Sequence, residues 1–277
     1  MGKIRKTLIS IGLWGLLQII VGITFAIVSK IRGVDYLDMM APALLISNLT
    51  FIIILWIIRF YKIKELGQSV PSIVLLMSLV LGFCALYAVD ILSMPFNLPN
   101  NMAAVFDAMV KNKWGFLSIA IVGPIAEEVL MRRVILTEIA QATGKKWWGI
   151  FVSAFLFALI HGNPLQIFFA LPAGILLGWL YCKTGRLIVP ICVHIMNNSI
   201  SFFSIKSGEQ SDMQFTDTWT QVILYTCIAV TVALVIWFNI YYSRHETDTA
   251  LPIDDKAVQV IQDEPVAESE QQQVTEQ

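Results

Sequence analysis

Long apolar runs separated by short polar joints set the pattern of this chain. Runs of about 17 to 25 residues, the length that spans a hydrocarbon core, fall near residues 8–29, 40–59, 70–93, 115–136, 147–162, 165–182, 187–205 and 219–241. They predict an all-α polytopic membrane bundle of about eight transmembrane helices. Between the third and fourth runs, Met94-Pro-Phe-Asn-Leu-Pro-Asn-Asn-Met reads as a turn-rich connection. Ala103 to Trp114 follows it as a short amphipathic helix on the outer surface. Ala170, Gly174 and Gly178 recur at four-residue spacing, which lets a neighbouring helix approach closely.

Composition agrees with a membrane setting. With 57% hydrophobic residues, 14% charged and a mean hydropathy of +0.71, there is too little polar surface to coat a soluble globule. The first run follows Lys3, Arg5 and Lys6 but is longer than a signal-peptide core and has no clear cleavage site after it, so it reads as a retained helix. With the N-terminus cytoplasmic, the basic residues Arg59, Lys62, Lys64, Lys145, Lys146, Lys183, Arg186 and Arg244 gather on the same side, as the positive-inside rule expects. The expectation is an integral protein of the plasma membrane with both termini cytoplasmic, the bilayer as partner and no nucleic acid.

Two parts differ in character. Residues 1–242 form the transmembrane bundle, and 243–277 form a tail with nine acidic residues against Arg244 and Lys256, a composition that predicts disorder. Cys84, Cys182, Cys192 and Cys227 show no paired spacing, so they read as buried thiols.

Candidate chemistry lies where polar residues interrupt apolar runs. Charge at membrane depth is costly and marks a site with partners. In the fourth run, Glu128 and Arg132 share a face one turn apart, while adjacent Glu127 points about 100° round the axis. One carboxylate is held by the Arg and the other is left to work. In the fifth run, Phe157 precedes His161 by one turn, just before Gly162-Asn163-Pro164 ends the helix. In the seventh, His194 and Asn198 share one face. Two imidazoles, two carboxylates and an amide are what peptide hydrolysis requires: a group to deprotonate water and donors to meet the oxyanion. No His-Glu-x-x-His zinc helix or Gly-x-Ser-x-Gly elbow is present, and Asp90 is the one aspartate within a span.

Glu127-Glu128-Val-Leu-Met-Arg132, Phe157-Ala-Leu-Ile-His161 and His194-Ile-Met-Asn-Asn198, in that order on separate helices, resemble the motifs of the CAAX protease and bacteriocin-processing (CPBP or Abi) family of intramembrane proteases. The likeness covers about residues 115–200. It implies glutamate-dependent hydrolysis in which Glu127 with His161 activates water, His194 and Asn198 stabilise the oxyanion, and Glu128 with Arg132 supports that geometry, beside Phe157. Family members are classed as metalloproteases, although the role of the metal is open. Glu127, His161 and His194 have the ligand chemistry for a divalent ion such as zinc.

The resemblance implies a peptide or membrane-protein substrate and does not identify it. A non-proteolytic bacteriocin-immunity or scaffold protein of the same fold is the alternative. Helical rise places Glu127 and His194 about 10 to 12 Å from the cytoplasmic face but His161 about 20 Å from it. Tilt, or a fifth helix that starts below the interface, must close that gap.

Overall fold

The computed structural model describes residues 4–208 and 213–245, and the expected acidic tail lies almost wholly outside them. The described residues contain helices and turns and no strand. The helices are α1 (Arg5–Arg32), α2 (Tyr36–Ile57), α3 (Ser72–Ser93), α4 (Ala103–Lys111), α5 (Phe116–Thr143), α6 (Lys146–Leu159), α7 (Pro164–Thr184), α8 (Ile188–Ser207) and α9 (Thr218–Arg244). Among them, α1, α2, α3, α7, α8 and α9 are each long and apolar enough to cross a membrane. The chain is an integral membrane protein. The expected eight crossings come out as these six, or as seven if α4 and α5, which meet at a bend of 107°, count as one span. The remaining run, α6, has 14 residues and so is about 21 Å long, short of a core about 30 Å thick.

Sequence sets the ends of these elements. Asp35 caps α2 by accepting from the Leu37 N–H at 2.9 Å, the usual role of an Asp before a helix. Gly185, at φ 63°, ends α7 and lets α8 begin three residues later. The sharp joint between α4 and α5 needs Gly115, because a Cβ there would sit 1.9 Å from the Met109 carbonyl oxygen.

Helix α5 is the axis of the bundle. Of Val129 to Leu136, all but Arg133 are buried, and they pack against Phe51, Leu55, Ile150, Phe157 and Tyr181 from the surrounding helices. The small-residue stripe does what its spacing predicts. A Cβ on Gly174 would stand 2.8 Å from Ala154 Cα, so α7 lies directly against α6. Arg133 pairs with Glu65 in the α2–α3 connection, and Glu138 accepts from the Lys6 N–H at 2.9 Å, tying the start of α1, which has no side-chain cap of its own, to α5.

Two stretches of α5, Phe116–Val122 and Val129–Leu136, are wound as π-helix, a rare winding found often at functional sites. The first has a cause in the sequence. Pro124 has no N–H to give and crowds the preceding turn. The Gly123 N–H bonds back to Ser118 O, five residues earlier. In that register the Ile119 carbonyl would meet the nitrogen of Pro124, so it is left without a main-chain donor.

Candidate active site

The orphaned Ile119 carbonyl is met from α8: Asn198 Nδ2 donates to it at 3.1 Å. This bond fixes the rotation of α8 against α5. One turn earlier on α8, His194 points at the two glutamates of α5. Its Nδ1 is 2.9 Å from Glu128 Oε1, and its Nε2 is 3.6 Å from Glu127 Oε2. A carboxylate can only accept, so Nδ1 carries the proton toward Glu128. Nε2 is thereby presented to Glu127.

The two adjacent glutamates have different surroundings. Glu128 has no exposed side-chain surface, while the Glu127 side chain is 22% exposed. Arg132, also fully buried, places Nε 3.0 Å from Glu128 Oε2. The contact is close, yet the N–H is not aimed at the oxygen, and no guanidinium nitrogen has a hydrogen-bond acceptor among the described residues. The guanidinium instead lies over the Phe157 ring, 5.1 Å from its centre. Arg132 therefore acts on Glu128 by charge more than by directed bonding.

Phe157 joins the three motifs. Its ring meets the His161 ring edge-on at 4.9 Å and the His194 ring edge-on at 5.5 Å. The spacing of Phe157 to His161 also has a local reason. At the end of α6 the His161 N–H turns to Ala158 O at 3.2 Å, leaving the Phe157 carbonyl free, and His161 Nδ1 takes it at 2.7 Å. This bond puts the proton on Nδ1 and leaves Nε2 as the free acceptor.

The rings of His161 and His194 and the Arg132 guanidinium thus meet round Phe157, Glu128 and Glu127 lie against His194, and Asn198 stands one turn further along α8. The partnership differs from the expected one. The imidazole within 4.0 Å of Glu127 is His194, not His161, and among the described residues no carboxylate lies that close to His161. The cause is the Asn198–Ile119 bond, which turns α8 so that His194 faces α5. Glu128 is also shared between Arg132 and His194. Among the described residues, no group of three His, Cys, Asp or Glu side chains is set to hold a metal ion. As placed, Glu127, His161 and His194 do not make a three-donor site.

Comparison with known proteins points the same way. Residues 110–200 match the family described as Type II CAAX prenyl endopeptidase Rce1-like. The chain is 28% identical over 99 residues to the "Putative membrane peptidase YdiL" of Bacillus subtilis (strain 168), covering 36% of this chain and 40% of that relative's length. No solved structure matches. The resemblance to the CAAX-protease family holds over the segment that carries all three motifs.

Proposed function

We propose that this chain, whose residues 110–200 resemble the CAAX prenyl endopeptidases, is an intramembrane endopeptidase that hydrolyses a peptide bond of a peptide or membrane-protein substrate, with Glu127 as general base. The observation that carries this reading is the unequal pair of glutamates on one imidazole. Glu128 is buried and holds His194 Nδ1, while Glu127, partly exposed, faces Nε2 at 3.6 Å. That separation exceeds a direct hydrogen bond. A single water beside the pair would touch both groups.

Glu127 takes a proton from this water as the oxygen attacks the scissile carbonyl. The oxyanion is met by the second Nδ2–H of Asn198 and, once Nε2 takes up a proton, by His194 held from the other side by Glu128. Collapse returns the proton from Glu127 to the leaving amine. The Nε2 of His161 is the acceptor for the second hydrogen of the water once the turn that bears it closes on Glu127. The order of events thus follows the family scheme, with His194 bonded to Glu128 and facing Glu127 beforehand. A divalent ion on Glu127, His161 and His194 would need the same closure, and the steps above use side chains alone.

The basic residues of the joints support a cytoplasmic position for the termini and for this end of the bundle. The substrate bond is cut near that leaflet of the plasma membrane.

Purified protein in detergent, assayed on quenched peptides with and without a prenylated C-terminal CAAX tail, tests the reading. Glu127→Gln should lose about 10²- to 10⁴-fold in kcat, and His194→Ala about 10²- to 10³-fold. Equal cleavage by wild type and Glu127→Gln would end it. Comparing membrane-peptide termini in cells carrying wild type or Glu127→Gln would then identify the natural substrate.

A further inference from the structure

The turn that carries His161 is held from outside by a residue with no part in the chemistry above. Between α6 and α7 the chain runs His161-Gly162-Asn163-Pro164, with Gly162 at φ 60°. Gly162 and Pro164 are exposed, but Asn163 is fully buried. An Asn just before a helix ordinarily turns its side chain back to cap that helix. Asn163 stands at that position before α7 and makes no such cap.

Its amide reaches across to the connection after α3 instead. Nδ2 donates to Asn100 Oδ1 at 3.0 Å, and Oδ1 accepts from the Asn101 N–H at 3.1 Å. Asn100 Oδ1 also accepts from the Met102 N–H at 3.3 Å, shaping the loop that receives the amide. Two more ties close the same seam: the Leu165 N–H reaches Pro99 O at 3.4 Å, and the Phe96 ring lies 5.6 Å from that of Phe168 on α7. The segment 94–102 is therefore a strap fastened over the turn, with the buried amide as its central clamp.

His161 lies past the last residue of α6, and its own polar contact runs back to Phe157 O. Helix geometry alone does not fix where its Nε2 stands relative to Glu127; the turn does, and the strap holds the turn. We infer that Asn163 is a positioning residue: by clamping segment 94–102 across the turn, it sets how closely His161 approaches Glu127. Its consequence for turnover rests on the peptidase reading above; the clamp itself does not.

The full chain in detergent, as wild type, Asn163→Ala, Asn100→Ala and the double variant, provides the test by backbone hydrogen exchange and mass spectrometry. Asn100 is exposed on the strap, so its substitution spares the bundle core if Asn163→Ala folds poorly. Peptides spanning 158–166 should exchange about tenfold faster in each single variant, as expected for the loss of one or two neutral hydrogen bonds. The double variant should be no faster than the singles, and peptides spanning 188–200 should keep wild-type rates. On the quenched prenylated peptide, kcat should fall about tenfold with KM changed less than about twofold, a split expected of misplaced chemistry and not of lost binding. Gly12→Ala, on α1, should leave both readings unchanged.

Unchanged exchange at the turn in Asn100→Ala and Asn163→Ala overturns the clamp. Faster exchange with unchanged kcat overturns the positioning role. If the wild type leaves the peptide uncut, the peptidase reading is what has failed for that substrate, and the exchange measurement still decides the clamp.

Discussion

Removing the guanidinium of Arg132 should be among the most damaging single changes in α5. Arg132→Met keeps the length of the side chain and discards its charge. Glu128, with no exposed surface, then has His194 Nδ1 as its remaining polar partner. Truncating one member of a buried ion pair costs about 3–5 kcal/mol, because the other charge stays buried without compensation. Glu128→Gln should cost a similar amount by the converse route. It strands a guanidinium that has no hydrogen-bond acceptor and turns an amide N–H₂ toward it.

The double variant, Arg132→Met with Glu128→Gln, carries neither charge. His194 Nδ1–H still finds the amide oxygen, so the remaining loss is about 1–2 kcal/mol. A coupling of at least about 4 kcal/mol between the two sites follows. At roughly 2–4 °C per kcal/mol for a chain of this size, each single variant should melt about 10 °C lower and the double only a few degrees lower. Thermal melts in detergent, followed through the fluorescence of the eight tryptophans, read all four proteins. A double variant as unstable as the two singles added together would show that the charges do not act on one another, and the electrostatic account of the site would fail.

Gly174→Ala should lower the melting temperature through an overpacking cost of about 1–3 kcal/mol, since its Cβ would press on Ala154 Cα at 2.8 Å, whereas Gly12→Ala, with nothing within 4 Å, should not; equal melts would refute the close contact of α6 and α7. Pro124→Ala supplies an N–H for the Ile119 carbonyl and so competes with Asn198 for it. The fold should persist while kcat falls about tenfold or more as an oxyanion donor loses its anchor, and an unchanged kcat would detach Asn198 from the chemistry. Dialysis against a strong chelator tests for a divalent ion: hydrolysis by side chains alone predicts unchanged cleavage, and a loss restored by zinc would assign Glu127, His161 and His194 to a metal.

Much of this was legible from single helices. Glu127, Glu128 and Arg132 stand out because they interrupt an apolar run, and the period of 3.6 residues separates the faces of the two glutamates. The close packing at Gly174 was legible for the same reason, since spacing within one helix is a property of sequence. What sequence does not carry is the rotation of one helix about its neighbour. The pairing of Glu127 with His194 depends on that rotation, which the Asn198–Ile119 bond sets. A signal was present in Pro124, whose missing N–H orphans a carbonyl five residues back, but it requires the π register to be recognised. The strap is a second example. Met94 to Met102 reads as an ordinary turn-rich connection because of its prolines and asparagines, and its partner is 62 residues away at Asn163.

Two breaks in regular helix account for why these particular polar residues stand here. Within a bilayer, irregular backbone is tolerated only where its polar groups are satisfied by protein or by water. Pro124 leaves the Ile119 carbonyl free, and Asn198 takes it. The early end of α6 leaves the Phe157 carbonyl free, and His161 takes it. The same interruptions that cost α5 and α6 their regular hydrogen bonds therefore fix two of the motif side chains, Asn198 and His161. Each fixed side chain keeps one polar atom unspent: a second N–H on Asn198 and Nε2 on His161. In the proposed reaction those atoms are what a water and a peptide carbonyl would meet. A site made this way needs water in one place only, which is compatible with a bundle that is otherwise closed by apolar packing.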